Sequence, residues 1–164
     1  MLRIAATVIA ILAAAPTLAQ PATLTPRQIG EIFCTARTGN DMVPVTALLS
    51  ETLTTAIADA EAQNEVIAKA RPDEKPPLGD GIPWQAYPDY ADRCAPGEVT
   101  FMMDEAIVPI AYSFTAYPDA DFTDTLKLRL IDDPALGGRI WRIDDVAYAT
   151  DGDLRTTLAS AFLD

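Results

Sequence analysis

Apolar positions recur at helical spacing in the first half of the chain and at strand spacing in the second. Ile29, Ile32, Phe33 and Ala36 fall on one helical face. Thr25 is placed as an N-cap, with Pro26 at the first helical position. Gln28, three residues beyond Thr25, completes a capping box. Gly39-Asn40 ends this helix. DMVPVTALL, residues 41–49, predicts one or two short helical turns. Ser50 then caps a longer helix to about Ala70, with Leu53, Ala56, Ile57, Ala60, Ile67 and Ala70 on one face. Asp59, Glu61, Glu65 and Lys69 lie mostly off that face, and Glu65–Lys69 is a favourable i,i+4 pair. RPDEKPPLGDG, residues 71–81, breaks the pattern, and the chain reads as irregular to Gly97.

The period then becomes two. A weak strand is expected around Glu98 to Met103. A second, from about Ile107 to Tyr117, alternates Val108, Ile110, Tyr112 and Phe114 against smaller residues, and its Pro109 marks an edge or a bulge. Phe122 to Ile131 sets Leu126, Leu128 and Leu130 against Thr125, Lys127 and Arg129. A last strand covers 139–148. Asp151 or Asp153 caps a final helix striped by Leu154, Leu158, Ala161 and Phe162. Short turns between successive strands imply an antiparallel meander. The expected class is α+β: N-terminal helices packed on a curved antiparallel sheet of three to four strands, with a C-terminal helix.

The first residues change the picture. Arg3 followed by an apolar run to Ala15, Pro16 and the small residues Thr17 and Ala19 reads as a signal peptide, residues 1–19, cut after Ala19. Residues 20–164 are then a single periplasmic or secreted domain, with no stable membrane insertion after cleavage. Cys34 and Cys94 are the only cysteines, and in an oxidising compartment they are expected to form a disulfide. Histidine is absent, which leaves no zinc set and no Ser-His-Asp or Cys-His chemistry. The formal charge is −12, and −13 once Arg3 is removed with the leader. So acidic a chain repels phosphate backbones and anionic membranes, which excludes nucleic acid as a partner. It suits a solvated surface, and it also suits a basic protein partner.

RIWRIDDVAY, residues 139–148, holds two adjacent carboxylates in a strand. Neighbouring side chains on a regular strand point to opposite faces. Asp144 therefore shares a face with Arg142, and if that face also carries Lys127 and Arg129 of the preceding strand, cross-strand ion pairing accounts for it. Asp145 shares the apolar face of Trp141 and Ile143 and is expected to point inward. There it would be a candidate general base with a raised pKa, or else would bind a backbone amide or cap a helix.

Two or three helices before a curved meander resemble the nuclear transport factor 2-like cone fold. Within it, Trp141, Ile143, Asp144, Asp145 and Val146, followed by Leu154-Arg155 and Leu158, resemble an uncharacterised family of bacterial periplasmic domains. Those end in a Trp-x-Ile-Asp-Asp strand and a Leu-Arg-x-x-Leu helix. The resemblance implies a concave pocket between helices and sheet and no agreed activity. The Asp–His chemistry of some cone-fold enzymes does not carry over to a chain without histidine.

Asp119, Asp121 and Asp124 approach a calcium loop but lack its glycine and distal glutamate, so an Asp-rich turn is expected and no metal. No phosphate-binding glycine loop occurs, and no cofactor is expected. Trp84, Tyr87, Tyr90 and Tyr112 are the candidates for a ligand-facing aromatic surface. The reading is a non-catalytic domain that binds a small molecule or interacts with another protein. Its site is drawn from Trp84, Tyr87, Tyr112 and Asp145. One alternative is an enzyme with Asp145 as general base in an apolar pocket. Another is an acidic inhibitor or immunity-type protein that binds a basic partner.

Overall fold

The structure, a computed structural model, describes residues 23–163, so the expected leader lies outside the described residues. Helix α1 spans Pro26–Thr38, and Thr25 caps it in a full capping box with Gln28. The left-handed residue at its end is Asn40 (φ 51°), while Gly39 stays right-handed. Asn tolerates that conformation because its short polar side chain satisfies local backbone groups. Helix α2 is a single turn, Val43–Thr46. Helix α3 runs Glu51–Ala70, with the Ser50 hydroxyl accepting from Leu53 N at 3.1 Å. Helix α4, Leu154–Ser160, is capped by Asp153.

Five antiparallel strands follow α3: β1 Arg93–Pro96, β2 Thr100–Met102, β3 Glu105–Ser113, β4 Phe122–Asp133 and β5 Gly138–Ala147. Their order is β1-β3-β4-β5, with β2 also paired to β3, so β1 and β2 lie end to end along one side of β3. The architecture is α+β, and the curled sheet has one strand more than its periodicity predicted. Strand β1 falls in the stretch expected to be irregular. Four residues carry no legible alternation, and it exists because β3 pairs with it and Cys94 anchors it.

Pro109 sits inside β3, opposite the gap between β1 and β2. Its carbonyl accepts from Gly97 N at 2.7 Å, so the donor it lacks faces the interruption of the neighbouring strand. A Cβ on Gly97 would stand 3.2 Å from Pro109 Cβ, which keeps that crossing small.

Val108, Ile110 and Tyr112 of β3, Leu126 and Leu128 of β4, and Ile143 and Val146 of β5 form the buried face. Ile29, Phe33, Leu53, Ile57, Leu154 and Leu158 cover it from the helices, in one core cluster. Helix α1 approaches β3 closely: a Cβ on Gly30 would meet Pro96 and Val108 at about 3 Å. The disulfide joins Cys34 of α1 to Cys94 of β1, with Cα atoms 5.1 Å apart. Among the described residues no helix is long and apolar enough to cross a membrane.

Candidate functional site: an aromatic cleft at the open end of the sheet

The side-chain alternation expected along β5 breaks at Asp144. Lys127 pairs with Asp145, but the next residue of β4, Leu128, pairs with Ile143, so Asp144 is the extra residue of a β-bulge. The bulge shifts parity by one. Val146 returns to the core, and Asp145 lies on the Lys127 face, opposite Trp141 and Ile143. Asp145 is nonetheless buried, because its carboxylate turns to the strand edge. Oδ1 accepts from Val146 N at 2.9 Å and from Arg155 N at 3.2 Å, in the first turn of α4, and Oδ2 lies 3.5 Å from Lys127 Nζ. Asp144 Oδ1 accepts from Ser50 Oγ (2.7 Å), Arg155 Nη2 (2.9 Å) and Thr52 Oγ1 (3.3 Å). Partial burial would raise the Asp144 carboxyl, but the Ser50 hydroxyl, the Arg155 and Arg129 guanidiniums and Thr52 outweigh it and hold it below the usual range. The two carboxylates thus tie α3, β5 and α4 together. The cavity beside them, about 230 Å³, is lined by Lys127, Arg129 and Arg155 as well as both aspartates.

The other expected site residues are not gathered around Asp145. Trp84 is buried against Phe33, edge to face at 6.5 Å. Tyr112 is buried on the core face, stacked beneath Phe122 at 4.6 Å. Burial and then the Asp124 carboxylate push its phenol up, against the nearby Arg37 guanidinium, and among the described residues its hydroxyl makes no hydrogen bond of ordinary geometry. Side chains pack the core between helices and sheet, and Trp84 lines a separate cavity of about 680 Å³ against α4. Of the four residues named from the sequence, Tyr87 alone lines the main cleft.

That cleft encloses about 830 Å³ at the end of the β3–β4 hairpin. Tyr87 and Tyr90 form one wall, Phe114 and Tyr117 the other, and Phe122 the floor, with Asp89, Asp119 and Asp121 at the rim. Phe122 is the hub: Tyr87 meets it edge-on at 5.0 Å and Phe114 lies 6.2 Å away. Phe114 continues the β3 alternation beyond the strand's end, and Tyr117 and Phe122 bracket the 3-10 turn Pro118–Ala120. A pair of aromatics flanking a Pro-Asp turn was the available signal, and no local pattern distinguishes it from an ordinary turn.

Both walls are held by hydrogen bonds. Arg37, nearly buried, donates from Nε and Nη2 to Gln85 Oε1 at 3.0 and 2.6 Å. Gln85 Nε2 in turn donates to the carbonyls of Tyr87 (2.6 Å) and Asp89 (2.7 Å). Tyr90 donates to Asn40 Oδ1 at 2.8 Å, and the Arg37 guanidinium carbon lies 5.4 Å from its ring centroid. On the other wall, Phe114 N donates to Asp121 Oδ1 (2.8 Å) and Thr115 N to Asp92 Oδ2 (2.7 Å). Asp124, fully buried, accepts from Ala86 N at 2.9 Å and Ala149 N at 2.7 Å, which fixes the start of the tyrosine loop. Burial pushes its carboxyl up, against those two amides and Arg37. Asp119 and Asp121 thus stand at the cleft rim and Asp124 in the interior, and among the described residues no group of three metal-ligating side chains occurs.

No protein-family model, curated protein or solved structure matches the chain.

Proposed function

We propose that this chain is an exported, non-catalytic domain that binds a small molecule in the aromatic cleft of Tyr87, Tyr90, Phe114, Tyr117 and Phe122. The cleft itself carries the reading. Its volume of about 830 Å³ suits a small ligand, and the rings supply contact area at low entropic cost. The Arg37–Gln85 relay and the Asp121 and Asp92 bonds hold the walls before any ligand arrives, which removes an ordering cost from binding. The leader-like residues 1–19 and the Cys34–Cys94 bridge support export to the periplasm. The helices-then-meander order suits a nuclear transport factor 2-like cone, with the site at the hairpin end and not within the cone. The carboxylate of Asp145 is taken up by two amides and a lysine, which favours anchoring over proton transfer.

The test is a nuclear magnetic resonance screen of the purified chain against a panel of neutral aromatics, sugars, organic cations and organic anions. A ligand is expected to shift amides at 87–90 and 114–122. Tyr117→Ala should remove the response without changing the melting temperature, because that side chain is 71% exposed. A panel that leaves these amides unmoved would sink the reading, as would hits that survive in the variant.

A further inference from the structure

The charge around the cleft narrows the ligand. Every charged residue that lines it is acidic: Asp89, Asp119 and Asp121. Asp121 spends one oxygen on Phe114 N, whereas Asp89 and Asp119 form no side-chain hydrogen bond or ion pair among the described residues. Several aspartates elsewhere are matched by bases, as in Lys75–Asp80, Arg139–Asp104, Lys127–Asp145 and Arg155–Asp144. The cleft is a place where carboxylates stand beside aromatic rings with no cation among the lining residues.

We infer that the ligand is a small organic cation, a quaternary or fully substituted ammonium group seated among Tyr87, Tyr117 and Phe122 under the carboxylates of Asp89 and Asp119. This rests on the cleft being the binding site. The faces of the rings carry the negative lobe of the aromatic quadrupole and attract a cation that has shed its water. A quaternary ammonium is poorly hydrated and has no N–H to satisfy, so ring faces can hold it without a directed hydrogen bond. The rim carboxylates add attraction at longer range and repel anions. A neutral molecule of the same shape keeps only the apolar contact. Arg37 already occupies one side of Tyr90, so that ring closes the wall and Tyr87, Tyr117 and Phe122 hold the charge.

The test compares choline with dimethylbutanol, its uncharged carbon isostere, by resonance titration of the full chain. Choline is expected to bind about tenfold more tightly, the scale of a desolvated cation–π contact plus rim charge, and to weaken as salt is raised. Tyr117→Ala should weaken it several-fold. The pair Asp89→Asn and Asp119→Asn should weaken choline and leave the isostere unchanged, with the melting temperature as a check on folding. If the isostere binds as tightly as choline, or the Asn variants bind choline like the parent, the cationic class is wrong while the cleft stands. If choline moves no cleft resonance the inference fails, and the cleft itself is then judged on the neutral members of the broader panel.

Discussion

Asp144→Ala is expected to cost more than a half-exposed ion pair normally would. The side chain of Asp144 is 21% exposed and accepts three hydrogen bonds, two from groups that hold other elements in place. Ser50 is both a donor to Asp144 and the cap of α3, and Arg155 also donates through Nε to the Asp144 carbonyl at 2.6 Å and through Nη2 to Thr52 Oγ1 at 2.7 Å. A hydrogen bond to a charged group contributes about 1.5–3 kcal/mol when shielded, and exposed pairs about 0.2–1. A site of intermediate exposure with several partners gives about 2–3 kcal/mol for Asp144→Ala, or roughly 6–9 °C in melting temperature at this size. The pairwise share is read from a double-mutant cycle with Arg155→Met, which keeps the apolar stem. A coupling of about 1–2 kcal/mol is expected at pH 7 from urea unfolding. Because the folded carboxyl sits below its ordinary value, this stabilisation is present above the unfolded pKa of about 4 and is lost as pH falls through the depressed folded value. A coupling below about 0.3 kcal/mol at pH 7, or one unchanged on acidification, would refute the account of the bulge as an electrostatic junction.

Two further outcomes are expected. Reduction of Cys34–Cys94, or its replacement by alanines, frees a loop of 60 residues and should lower unfolding free energy by about 4 kcal/mol in the chain-entropy picture; a loss under 1 kcal/mol in urea titrations with and without reductant would contradict it. Tyr112→Phe removes a buried hydroxyl that makes no hydrogen bond of ordinary geometry among the described residues, so stability should stay level or rise by up to about 1 kcal/mol; a clear fall in melting temperature would mean that the hydroxyl is satisfied, with Arg37 the nearest donor.

The sequence by itself determined whatever depends on neighbours a few residues away. The Thr25 capping box, the Ser50 and Asp153 caps and the apolar stripe of α1 are short-range matters of spacing and hydrogen-bond supply. The alternation of β3 and β4 was legible because one face of each is buried along its length. The pairing of two cysteines needed no geometry at all. Tertiary structure decided the rest. Strand β1 is too short to show a period and exists through its register with β3. The inward direction read for Asp145 assumed an unbroken strand. What breaks it is the edge of β5, where Leu48 and Ser50 bond Ile143 on one side of the bulge and Asp153 bridges Ala147 on the other. Leu48 and Ser50 come from a segment more than ninety residues away in the chain, and a one-residue slip reverses which face a side chain takes. The cleft has the same origin: Tyr87 and Tyr90 meet Phe114, Tyr117 and Phe122 only because the fold brings an irregular loop beside a hairpin end. Short-range patterns record how each segment folds, whereas a binding surface depends on which segments become neighbours.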